Sequence, residues 1–153
     1  MGKLIYAAHL LGAVLWVGGM AFALLALRPA AHATLEGPQR LALMEQVFRR
    51  FFLIVWHAMP IVLLSGWAIL FGWYGGFAGA DWHVHLMNLS GIVMAVIYLA
   101  ITLGPWKRMR RALAGGDRPA AAAAMDAIRK LVAVNLVLGL ATVAIAAWGR
   151  FPG

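Results

Sequence analysis

Four stretches without a formal charge, counting histidine as neutral, divide the chain: residues 4–27, 51–72, 86–106 and 131–148. A bilayer core of about 30 Å is crossed by about 20 helical residues, and each stretch is near or above that length. No water is available there to satisfy backbone polar groups, so helices are the expected form. The alternation of a β-barrel strand is not visible in any of the four. The pattern predicts an all-α fold: one domain over 1–153, a four-transmembrane-helix up-down bundle. Composition agrees, with 64% hydrophobic and 12% charged residues and a mean hydropathy of +0.85. Ordinary soluble domains carry about 25% charged residues. Ala21-Phe22-Ala23 resembles a small-x-small cleavage site. The first run is longer than the apolar region of a signal peptide and is preceded only by Lys3, so a transmembrane helix is expected.

The basic residues sit between the runs. Loop 28–50 carries Arg28, Arg40, Arg49 and Arg50, and loop 107–130 carries seven Lys and Arg. Loop 73–85 carries none, and the ends add only Lys3 and Arg150. The positive-inside rule then places loops 28–50 and 107–130 in the cytoplasm, with both termini outside. The net charge of +8 is therefore read as a topology signal and not as a nucleic-acid surface. Trp73, Trp82 and Trp148 are expected at the outer interface and Trp106 at the inner one.

Several helices are expected to extend beyond the bilayer. Gly37-Pro38 followed by Leu41, Met44, Val47 and Phe48 predicts that the second helix starts near residue 39. Pro60 lies inside it and should kink it, freeing a carbonyl near Trp56. Gly115-Gly116-Asp117-Arg118-Pro119 reads as a turn, after which the alanine-rich 119–130 begins the last helix. The third and fourth helices should form a long antiparallel hairpin.

Candidate chemistry starts with five histidines and no cysteine. On a helix His9, Gly12, Trp16, Gly19 and Ala23 share one face, so His9 belongs to the inward side of the first helix. An ionisable residue at such a position is a functional candidate. His9 should lie about 8 Å below the outer end, and His57 about 9 Å in from the other side, so the two cannot share a small ion. His83 and His85, with Asp81 and Met87, can join His9 on the outer side. His57 could pair with His32, Met44 or Met59. In an extended segment His83 and His85 could both reach one ion; on a helix they point about 200° apart. Imidazole and thioether donors suit copper without cysteine. Axial His or Met also suits haem b. The bland alternatives are cross-helix hydrogen bonds for the histidines, packing for the methionines and close helix approach for Gly12, Gly18 and Gly19. Asn88 with Ser90, and Asn135 with Thr142, read as interhelical hydrogen bonds. Asn135, Gly139, Thr142 and Ala146 share a face that should turn inward. No acid lies within a run, which argues against a simple proton-driven carrier.

His9, Trp16-Val17-Gly18-Gly19 and Arg28-Pro29 resemble the short membrane proteins of the CopD copper-resistance family. Trp82-His83-Val84-His85-Leu86-Met87 and Asn135-Leu136-Val137-Leu138-Gly139 resemble its later helices. The resemblance implies copper handling at a bacterial inner membrane. A weaker resemblance is to HemJ, a haem-associated protoporphyrinogen oxidase family, through the helix-1 histidine and Met44-Glu45, Pro60 and Gly66; His85 stands where that family has lysine. The leading expectation is a copper-binding or copper-transporting protein whose outer site uses His9 and His85, with His83 and Met87. The alternative is a b-type haem protein, and then a haem-dependent oxidoreductase, with His9 and His57 as axial ligands of separate haems or one of them paired with His85. A third reading is a cofactor-free assembly partner. Expected partners are the bilayer, the metal ion or haem, and a second copy or another membrane protein through the glycine faces.

Overall fold

The computed structural model describes residues 1–150; the side chain of Arg150, one of the end charges above, lies outside that description. Every regular element in it is helical. Helix α1 covers Gly2–Thr34, α2 Gly37–Trp73, α3 Trp82–Leu103, α4 Pro105–Ala114 and α5 Arg118–Arg150. Helix α4 continues α3 past a break at Gly104-Pro105, so four rods form the bundle and each holds an apolar stretch long enough to cross a membrane. Their outward surfaces carry exposed Leu11, Val14, Phe22, Leu53, Leu64 and Phe71, as a lipid-facing belt requires.

One helix boundary differs from the sequence expectation. Helix α1 does not stop at residue 27 but runs through Arg28-Pro29 to Thr34. Two π-helical stretches, Val14–Gly18 and Phe22–Leu27, precede the proline. The backbone keeps right-handed helical angles up to Leu27, and the rod continues through the proline. Helix α2 begins at Gly37, as the Gly-Pro signal indicates, and passes Pro60 without interruption. Its start is held by a capping box between Glu36 and Gln39. At its far end Gly75 and Gly76 take positive φ of 69° and 102°, which turns the chain into a short 3-10 turn, Phe77–Gly79.

Helix α1 packs along α2, and α3 with α4 packs along α5. The two hairpins close on each other mainly at the end that carries the basic loops. Phe48, Phe52, Val55, Tyr98, Ile101, Met109, Ile128 and Val132 are buried there. Phe52 meets Trp106 edge-on at 5.3 Å between centroids, so Trp106 packs on this core. Toward the other end the facing positions are small: Gly66, Gly91, Gly139 and Gly149. Small side chains leave the hairpins apart, and a cavity of about 490 Å³ opens between them.

Candidate metal-handling cavity

All four rods line this cavity. Helix α1 contributes Tyr6, His9, Ala13 and Trp16; α2 contributes Val62, Gly66 and Trp67. His83, Met87, Asn88 and Met94 come from α3, with Asp81 just before it, and Gly139, Thr142 and Ala146 come from α5. The inward faces expected for the first and last helices are the ones observed. Gly12, Trp16 and Ala23 are buried. A Cβ on Gly12 would meet Val62 Cγ2 at 2.7 Å, and one on Gly19 would overlap the Phe51 ring. These glycines serve close helix contact; Gly18 has no neighbour within 4 Å.

His9 is fixed by α2. Its Nδ1 lies 3.0 Å from the Val62 carbonyl oxygen and 3.2 Å from Ser65 Oγ. The Ser65 hydroxyl donates to the Ile61 carbonyl. Both partners of His9 are thus acceptors, so Nδ1 carries the proton and Nε2 keeps its lone pair. That is the tautomer in which a histidine can take a metal through one nitrogen while the other is anchored to a carbonyl. The ring reaches this position because residue 66 is glycine: a Cβ there would lie 3.1 Å from His9 Cε1. Ser65 was not among the residues expected at the site, since nothing local in the sequence registers α2 against His9.

His83, like His9, rests against a glycine of a neighbouring helix. Its ring lies against the backbone of Gly149 on α5, where a Cβ would collide with it. Met87 stands one turn further along α3, on the same face. Because α3 begins at Trp82, His83 and His85 fall on different sides of a helix, and only His83 lines the cavity. His85 is exposed and stacks on Phe77 of the connecting turn, with centroids 6.0 Å apart. His57 lies on the lipid-facing side of α2, where its Nδ1–H donates to Leu53 of its own helix at 2.8 Å. The structure therefore does not bring His9, His57 and His85 together. His32 lies on the α1 extension at the basic end.

The other polar groups tie helices together. Trp67 Nε1 donates to Asn88 Oδ1 at 2.9 Å, joining α2 and α3 across the cavity wall. Thr142 Oγ1 lies 2.7 Å from Ser90 Oγ, joining α5 and α3. Below them Asn135, 1% exposed, donates to the Met94 carbonyl at 3.3 Å. The interhelical hydrogen bonds expected of Asn88, Ser90, Asn135 and Thr142 are thus observed, with Trp67 and the Met94 carbonyl among the partners.

The donor set of the cavity is imidazole from His9 and His83 and thioether from Met87 and Met94, with Asp81 at one edge. This chemistry fits copper. Among the described residues no three His, Asp or Glu side chains gather as a closed metal centre.

No curated protein and no solved structure matches the chain. Residues 45–149 match the family model of copper resistance protein D, CopD. The match spans most of α2 and all of α3 and α4, and it reaches nearly the end of α5. It includes His83 and Met87, while His9 lies before it. The chain is an integral membrane bundle that belongs to the CopD family.

Proposed function

We propose that the protein binds copper in the cavity between its two hairpins and passes it along, with His9 and His83 as nitrogen donors and Met87 as a sulfur donor. The observation that carries this reading is the anchoring of His9 Nδ1 by the Val62 carbonyl at 3.0 Å, which leaves Nε2 as a lone-pair donor in the cavity that also holds His83 and Met87. Family membership supplies the metal: the family is defined by copper resistance. In this reading the basic loops face the bacterial cytoplasm and the cavity belongs to the outer half of the inner membrane. His85 sits outside the donor set and contributes no ligand.

The test is metal analysis of purified protein after copper loading, on wild type, H9A, H83A and H85A. Wild type and H85A are expected to retain copper, and H9A and H83A to lose at least about tenfold in affinity, the scale of one lost ligand or its support. Copper retention unchanged in H9A/H83A would overturn the assignment. An absorption spectrum of the same samples is expected to show no Soret band, and one that disappears in H9A would replace copper by haem.

A further inference from the structure

A second cavity, of about 480 Å³, lies at the opposite end of the bundle, where the α1–α2 and α4–α5 connections meet. Its walls carry Arg28 near the end of α1, Arg40 at the start of α2, and Arg118 and Arg129 of α5, with His32 and Asp126 beside them. In sequence the two groups are far apart; the closing of the hairpins puts them around one space. Arg129 is engaged by Asp126 at 2.5 Å, and Asp126 also takes Lys130 at 2.9 Å. Among the described residues, no acid lies within ion-pair reach of Arg28, Arg40 or Arg118. The nearest acids in sequence, Glu36 and Asp117, serve instead as helix caps: Glu36 takes part in the α2 capping box and Asp117 Oδ1 accepts from Ala120 at 2.9 Å. The first residues of α2 and α5, Gly37-Pro38 and Arg118-Pro119, also line the cavity, so the positive ends of two long helices point toward it.

The floor is different in kind. Leu24, Leu41, Met44 and Phe48 form it, with Met44 and Phe48 buried. Uncompensated guanidinium groups above an apolar floor match an amphiphile with a phosphate head and a hydrocarbon tail. Arginine suits phosphate because its planar fork can donate two hydrogen bonds to it. A free phosphate would satisfy the arginines and leave the floor bare, whereas the upper part of an acyl chain would cover it. Basic recesses between transmembrane helices are known to take anionic lipid head groups. We infer that this recess is a specific site for an anionic phospholipid, whose phosphate is held by Arg28, Arg40 and Arg118.

The inference is tested by native mass spectrometry of full-length protein released from nanodiscs of equal phosphatidylcholine and phosphatidylglycerol. Wild type is expected to retain phosphatidylglycerol preferentially. Each arginine removed should lower that preference by about fivefold, so R28Q/R40Q/R118Q should lose it. R28K/R40K/R118K should regain part of it. R108Q/R110Q/R111Q removes the same number of charges from the α4 surface outside the recess and should keep the preference. Millimolar glycerol 3-phosphate should not displace the lipid. If the triple Gln variant does not assemble, R28Q and R118Q singly give the same reading at smaller amplitude. Equal retention of the two lipids, or equal loss in the α4 control, would overturn the site. Displacement by glycerol 3-phosphate would overturn the lipid as its occupant and point to soluble phosphate esters.

Discussion

His9 on α1 and Gly66 on α2 are in direct contact, ring edge against backbone, at a distance a methyl group would reduce to 3.1 Å. The same relationship recurs between His83 and Gly149. Each cavity histidine is therefore positioned by a glycine on a neighbouring helix. Gly66→Ala should push the His9 ring off the Val62 carbonyl, weakening copper retention while the bundle stays assembled. The expected cost in stability is about 1–3 kcal/mol, the range for added volume at a packed contact. Copper titration beside unfolding in mixed micelles checks both parts; unchanged affinity would show that the ring's seat does not matter to binding.

Adjacent glycines on α1 should respond differently. A Cβ at Gly19 would overlap Phe51, which is itself packed against Phe52 at 6.0 Å, whereas Gly18 has open space. Gly19→Ala is expected to destabilise by about 1–3 kcal/mol. Gly18→Ala should stay within about 0.5 kcal/mol of wild type. The pair, measured by the same unfolding assay, tests the helix register directly.

Tyr98 Oη donates to the Phe52 carbonyl at 2.7 Å, linking α3 to α2 where the hairpins close. Tyr98→Phe keeps the ring, its edge-on contact with Trp16 at 6.5 Å, and removes only the donor. The expected loss is about 0.6–1.5 kcal/mol. A much larger loss would mean that the hydroxyl also orders groups beyond Phe52.

His57 should be dispensable. Its Nδ1 is spent on Leu53 in its own helix and the residue faces lipid, so His57→Leu is expected to leave copper affinity unchanged and stability within about 0.5 kcal/mol. A loss of bound metal, or of any visible chromophore, on this substitution would bring His57 back as a ligand.

The four spans, the end that holds the basic loops, and the inward faces of the first and last helices could be read from the order of residues alone. These are properties of one helix in an apolar solvent, where length, charge placement and the 3.6-residue period decide the outcome. His9, Trp16, Gly139 and Thr142 were legible on those grounds. The passage of α1 through Pro29 was not, because a charge and a proline after an apolar run read equally well as the end of a helix. Nor could the sequence choose between His83 and His85 until the start of α3 was known, since the answer reverses between an extended strand and a helix. The partners of His9 on α2, and the meeting of Arg28 and Arg40 with Arg118, belong to the tertiary structure alone. Residues in different helices acquire a common site only through the packing of the hairpins. Here, that packing is tight where Phe48, Phe52 and Ile128 interlock and open where glycines face each other.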